Sequence, residues 1–528
     1  MLATQLNWPK NTFKNLLKVD MLKLFKKFFF LVIIIGLSVE SYFSAQKIID
    51  FFSYVKNILA YPYVWALTEN ENMLFIHGIL SQQPVYKMHN VQTFFYFVYP
   101  PFFHLLSAAL MSVFGFTILL PRFISLFSFL AFGTVLWLFF KEKGRILENT
   151  LVTWILIAGS VSITLYSRYF ILGRADMLAF AFAFISLFCV WKILYQDCQN
   201  YPCYFLAGAA ALCALFTKQS VFFPYIVIAL SLLFAKDRKR WLVFGISLGV
   251  LTGLMFLTLN IFTQNEFAKS MLLAQSIYGR YLNSAAHLHL LQNIFITHYK
   301  ILLTGIIFIV FGSFYSMFIQ KKLPLFSVLL AVAVYINFFI TGGNEGAEHN
   351  TLIPLLFGVL VMMKELYFFG GTTKIGKVAP LVFLGIFGFQ IVGYQKFDFP
   401  YVLPTTVDKQ NHAQLVELLK SSSTSWVLGD RIDYDIFLAG KNSPLEASTH
   451  NVALSCQATQ TIAFGAEKNL IDRIKKKNIG MAVVTITKFG NDELLSQISS
   501  STSGTLVKTV KIDYMDAPEL NHKVYRLL

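Results

Sequence analysis

The chain has 528 residues, of which 56% are hydrophobic and 14% charged, with 55 Phe and a formal net charge of +16. Soluble domains carry about 25% charged residues, so a water-soluble globular class is excluded and an integral membrane protein is indicated. In such a chain the excess Lys and Arg mark cytoplasmic loops facing anionic lipid; no nucleic-acid module is present.

Residues 1–27 form a basic, cytoplasmic N-terminus in which Phe13, Leu16, Leu17, Leu24 and Phe25 interleave with lysines, the pattern of a helix lying on the inner leaflet. The next run, 28–45, lacks a small-residue cleavage site and reads as a retained span rather than a signal peptide. Further runs near the roughly 20 residues that cross a bilayer lie at 124–140, 151–166, 177–194, 204–216, 221–235, 241–262, 301–319, 326–340, 352–369 and 378–393, about eleven spans in all. None alternates as a barrel strand would, so the fold class is a polytopic α-helical membrane protein.

Run 100–118 is left out of the spans by charge. If it does not cross, Lys141 to Arg145, Lys236 to Arg240, Lys321-Lys322 and Lys374 to Lys377 all fall in the cytoplasm with the N-terminus. It is then a helix at the outer face, entered stiffly through Tyr99-Pro100-Pro101. Outer loops are 46–123 and 263–300 of a membrane module covering 28–393. Beyond it the long apolar runs stop. Residues 394–528 read as a small periplasmic or extracellular α/β domain, with strands near 425–428, 481–486, 507–512 and 523–527 and helices near 408–420 and 468–477. Of five Cys, an odd number, Cys198 and Cys203 fall in a cytoplasmic loop with no second pair to complete a zinc site, and no disulfide framework is implied.

Four polar segments fall on the outer side of this topology. Glu69 and Glu71 open a helix-like stretch close to the membrane, where a partly desolvated carboxylate can act as a general base or hold a divalent metal. Arg174 and Asp176 open a span; the Asp suits a helix start, and Arg168 and Arg174 suit a phosphate. Lys218 turns the chain at the outer face, against the positive-inside bias, which points to an anionic partner. Glu345, His349 and Asn350 cluster in a Gly-rich turn between two spans, and Tyr99 precedes the surface helix; these read as substrate-positioning groups. A metal at Glu71 and Asp176 stays open, because no ligand spacing is diagnostic.

The ordered set of Gly78, Pro84-Val85-Tyr86, Tyr99-Pro100-Pro101-Phe102, Phe114-Gly115, Arg122, Gly173-Arg174-Ala175-Asp176-Met177, Thr217-Lys218-Gln219, the Asn344–Asn350 turn, Leu428-Gly429-Asp430 and Phe437-Leu438-Ala439-Gly440 resembles the GT-C membrane glycosyltransferases. The branch it looks most like is the bacterial dolichyl-phosphate-mannose-transferase-like proteins, relatives of protein O-mannosyltransferases and lipid A aminoarabinose transferases. Many relatives carry an adjacent Asp-Glu pair where this chain has Glu69 and Glu71; the distance to Gly78 and Tyr86 favours Glu71 as the principal acid, with Glu69 the alternative. The resemblance implies a sugar donor on polyprenyl phosphate and a glycan, lipid or protein acceptor at the outer face of the cytoplasmic (inner) membrane. It also implies a carboxylate base, helped by Asp176, and cations on the leaving phosphate. A lipid or small-molecule transporter or flippase is the competing reading. The span centres, however, lack Asp, Glu, Lys and Arg; Glu40, Lys192 and Lys364-Glu365 lie toward span ends.

Overall fold

The computed structural model describes residues 49–83, 85–86, 99–140, 170–195, 200–234, 237–271, 292, 310, 325–341, 403–423, 425, 427–429, 433–441, 481–486, 505–514 and 517–526. The expected spans 28–45, 151–166, 352–369 and 378–393, all but one residue of 301–319, and the expected helix 468–477 lie outside them.

After a helical stretch over 49–60, α1 runs Leu67–Leu80. Its third residue, Glu69, reaches back to accept from the N–H of Trp65 (2.8 Å), the residue before the N-cap Ala66, and so fixes the entry of the chain into the helix. Helix α2, Phe102–Phe114, follows the two prolines and stops at Gly115, whose φ of 90° is a conformation that favours glycine. With 13 residues it covers about 20 Å, less than the roughly 30 Å of hydrocarbon.

Helices α3 (Leu119–Phe140), α4 (Ala175–Tyr195) and, further along, α7 (Arg238–Phe262) are each long and apolar enough to cross a bilayer. Between and after them come the shorter α5 (Tyr201–Thr217), α6 (Phe223–Ser231) and α8 (Leu325–Thr341). Each coincides with one expected apolar run, although α6 is trimmed at both ends. The protein is a polytopic helical membrane protein.

Helix α4 is apolar all round and is buried nearly all round, against α3, α5 and α6. Phenylalanine fills this core: Phe129 stacks on Phe170 at 4.6 Å and Phe132 meets Phe184 edge-on at 5.4 Å. Helix α7, also apolar beyond its basic first turn, buries only Trp241 and Leu248, leaving an apolar surface suited to lipid. Cys203, early in α5, is disulfide-bonded, whereas the sequence implied no disulfide framework.

In the tail, α9 (Thr406–Ser421) starts with a reciprocal capping box between Thr405 and Asp408. Strand β1 (Val427–Gly429), helix α10 (Asp433–Leu438) and strands β2 (Met481–Ile486), β3 (Thr505–Tyr514) and β4 (Ala517–Arg526) follow. The sheet order is β1-β2-β4-β3, with β1 parallel to β2 and the other pairs antiparallel. Leu415, Val416 and Leu419 of α9 and Tyr434 and Ile436 of α10 share one core with Val64, with Met73 and Ile76 of α1, and with Ala108 and Met111 of α2. Beside this core, the fully buried His412 pairs with Asp435 at 2.9 Å, and Tyr63 stacks on the imidazole at 4.7 Å. The helices of the tail are therefore packed onto the segment that carries Glu69 and Glu71.

Candidate active site

The first acid is locked. Glu69 is fully buried and its two oxygens accept four hydrogen bonds: Arg122 Nε and Gly173 N at 2.8 and 2.9 Å on Oε1, Arg122 Nη2 and Trp65 N at 2.8 Å each on Oε2. Arg122, near the start of α3, spends its remaining donors on the carbonyls of Ile58, Tyr61 and Tyr63 at 2.6–2.8 Å. All five guanidinium N–H groups are thereby used. Burial pushes the Glu69 carboxyl up, but Arg122 and the two backbone N–H groups outweigh it and hold the carboxyl below its ordinary value. With every acceptor position filled and its basicity lowered, Glu69 is poorly suited to taking a proton from an acceptor.

The second cluster is built from the start of α4 and the end of α5. Asp176 is the second residue of α4, where the helix dipole favours a carboxylate. Its Oδ2 faces Arg174 Nε at 3.3 Å, and its Oδ1 accepts from Lys218 Nζ. Lys218 caps α5, its N–H bonded to the Ala214 carbonyl at 3.0 Å. Arg174 and Asp176 are buried, and the Lys218 side chain is 14% exposed. The three side chains carry one net positive charge in a site largely withdrawn from water, an arrangement able to take an anion.

Glu71 is half-buried and lies two residues, about 200°, round α1 from Glu69. It shares a face with Leu74 and Phe75, three and four residues on. Those two cluster with Phe216, the second residue before Lys218. The helix therefore turns Glu69 toward Arg122 and Glu71 toward the side where α5 ends in its cation. Tyr99 lies in the same region: its carbonyl accepts from Tyr86 Oη at 2.9 Å and its ring packs against the apolar cluster.

Thus Asp176, Arg174 and Lys218 meet where α4 begins and α5 ends, Glu69 belongs to the neighbouring knot, and Tyr99 lies in the apolar cluster that joins Leu74 and Phe75, on the Glu71 face of α1, to Phe216. Arg168, Glu345, His349 and Asn350 lie outside the described residues. For a divalent metal at Glu71 and Asp176 the described residues offer few donors. Each Asp176 oxygen faces a cation, and among the described residues no three His, Cys, Asp or Glu side chains form a metal-binding group. Sequence reasoning noted Arg122 only as a span opener and passed over Asn72 and His104. The signal for all three was present: a polar group at a buried helical position needs a partner.

No protein-family model and no curated protein matches the chain in sequence. Solved structures do match in fold. ArnT from Cupriavidus metallidurans in the apo state aligns over 92% of this chain and 97% of that one, with 12% identity and a TM-score of 0.50. The same protein bound to undecaprenyl phosphate aligns over the same shares, with 13% identity and a TM-score of 0.51. The archaeal oligosaccharyltransferase AglB from Archaeoglobus fulgidus, in complex with an inhibitory peptide and a dolichol-phosphate, aligns over 84% of this chain and 69% of that one, with 11% identity and a TM-score of 0.48. At these identities the likeness is one of fold, and the chain has the fold of ArnT, in line with its resemblance in sequence to the GT-C glycosyltransferases.

Proposed function

We propose that the protein is a membrane glycosyltransferase that moves a sugar from a polyprenyl-phosphate donor to an acceptor hydroxyl at the outer face of the cytoplasmic membrane. The observation that carries this reading is the buried Arg174–Asp176–Lys218 cluster, which gathers two cations at the ends of apolar helices and on the side of α1 that bears Glu71. The fold it shares with an ArnT structure bound to undecaprenyl phosphate supports the lipid-phosphate class of donor.

In this reading the acceptor oxygen attacks the anomeric carbon and its proton passes to the Glu71 carboxylate. The bond between that carbon and the phosphate oxygen breaks, and the phosphate leaves with the electron pair. Lys218 and Arg174 stabilise the anion as its charge develops, which lowers the barrier most in a dry site. Asp176 holds the two cations in place; its oxygens are committed to them, so proton abstraction falls to Glu71 alone. The phosphate leaves as a stable anion, so one base suffices and no general acid is needed. The N-terminus is cytoplasmic and the tail, outside, helps to select the acceptor.

The test is to incubate purified protein in nanodiscs with a panel of polyprenyl-phosphate sugars and follow binding and slow hydrolysis. Release of sugar from one donor class, lost in Glu71→Gln, is the expected result. Absence of hydrolysis with every donor, together with lipid translocation in proteoliposomes, would replace the enzyme by a transporter.

A further inference from the structure

We propose that Asn72, oriented by His104, is a positioning residue that sets the distance between the base on α1 and the phosphate-binding cations, acting through the peptide of Gly173. The inference rests on the glycosyltransferase reading and adds to it a residue pair that makes no substrate contact.

Two side chains of α1, three residues apart on one face, grip Gly173 from its two ends. Glu69 Oε1 accepts from the Gly173 N–H at 2.9 Å, and Asn72 Nδ2 donates to the Gly173 carbonyl at 2.8 Å. The chain can approach this closely only because residue 173 has no side chain: a Cβ there would lie 2.8 Å from the Pro121 Cβ. The next residue is held as well, its carbonyl accepting from Ser125 Oγ at 3.2 Å. Backbone that carries Arg174 and Asp176 thus takes its position from α1, the helix that bears Glu71.

The orientation of Asn72 is itself fixed. Its carboxamide could turn over and present oxygen to the Gly173 carbonyl, which would repel. His104 Nε2 lies 2.9 Å from Asn72 Oδ1, so in the tautomer with hydrogen on Nε2 it donates there and holds the NH₂ group toward Gly173. Both residues are buried. Burial also pushes the His104 imidazole down to about 3, so it stays neutral at every working pH and the contact does not titrate.

The reacting carbon must sit between a base on one side and a departing phosphate on the other. A registration error near 1 Å can cost about 10²-fold in rate. Asn72→Asp keeps an acceptor for His104 but turns an oxygen on the Gly173 carbonyl. His104→Phe keeps volume but removes the donor, whereas His104→Gln restores an N–H near the same place.

Each variant is measured as folded protein in nanodiscs for thermal midpoint, affinity for sugar-free polyprenyl phosphate, and kcat and donor KM with an active donor. The expected pattern is a fall in kcat of about 10–100-fold for Asn72→Asp and His104→Phe, a donor KM that moves far less, and recovery of kcat in His104→Gln. Wild-type kcat in Asn72→Asp, or a loss that is equal in His104→Phe and His104→Gln, overturns the positioning role while leaving the enzyme reading intact. A wild-type protein that neither binds polyprenyl phosphate nor releases sugar overturns the enzyme reading, and the positioning role with it.

Discussion

The molecule places two buried ionic clusters side by side, and they differ in how completely their charges are used. In the Glu69–Arg122 knot one carboxylate meets one guanidinium, and every donor and acceptor has a protein partner at 2.6–2.9 Å. In the Arg174–Asp176–Lys218 cluster two cations share one carboxylate. A saturated neutral pair has no capacity left for a ligand and ties segments together. A cluster that gathers two cations presents charge-assisted donors to an anion. The comparison bears on two acids one residue apart in sequence: Glu69 ties segments of the fold together, whereas Glu71, about 200° round the helix and half-buried, is the acid to which the proposed mechanism assigns the base.

The largest effect expected from this contrast is on turnover. Glu71→Gln keeps the shape and removes the base, so kcat should fall by about 10²–10⁴-fold with donor affinity and thermal midpoint near wild type. Wild-type turnover in this variant, with Glu69→Gln folded but inactive, would reverse the assignment of the two acids.

Next is the cost of opening the knot. Arg122→Met leaves Glu69 buried without its counter-charge and should destabilise the protein by about 3–5 kcal/mol, read as a lower unfolding midpoint in detergent. Adding Glu69→Gln to it should recover part of the loss, because no buried charge is then stranded. A double variant worse than both singles would show that the two residues do not act as a pair.

Lys218→Met tests the open cluster. Loss of one charge-assisted contact is worth about 1.5–3 kcal/mol, so affinity for polyprenyl phosphate should weaken roughly tenfold or more. The thermal midpoint should change less than for Arg122→Met, because Asp176 keeps Arg174. Unchanged lipid-phosphate affinity would remove Lys218 from the donor site.

Much of the helical frame was legible because apolar run length is a strong signal: six expected runs coincide with α3 to α8. The four strands were legible as short apolar and β-branched clusters: β2 has its expected bounds, whereas β4 starts six residues earlier than expected. Helix α10 was not, since six residues carry too little periodicity; its packing on α1, with Tyr434 N donating to Asn70 Oδ1 at 3.0 Å, decides it. For the site, residue type and outer-face placement brought out Asp176, Arg174 and Lys218. They could not separate Glu69 from Glu71. That distinction depends on which way each points on α1, and the partners that reveal it, Arg122 and Gly173, are 53 and 104 residues away.

The smallest effect expected, and the most specific to the knot, is a pH dependence. Glu69 is held below its ordinary value in the folded protein, whereas in the unfolded chain it titrates near the usual carboxylate value of about 4.3. A depressed folded value means that the unfolded state binds the proton first. The stability this group contributes is therefore fully present above the unfolded value and is lost as pH falls through the folded one. Other carboxylates titrate in the same range, so the wild-type curve alone does not isolate Glu69. The difference between wild type and Glu69→Gln does, because the remaining groups are common to both. That difference should be constant above about pH 5 and shrink steadily as pH drops below about 4, as wild-type Glu69 takes up a proton and loses its attraction to Arg122. A difference that stays flat to low pH would mean that the carboxylate charge contributes nothing to the knot. Glu69 would then act there only as a shape with hydrogen-bond acceptors, and the contrast between the two clusters would no longer be one of charge.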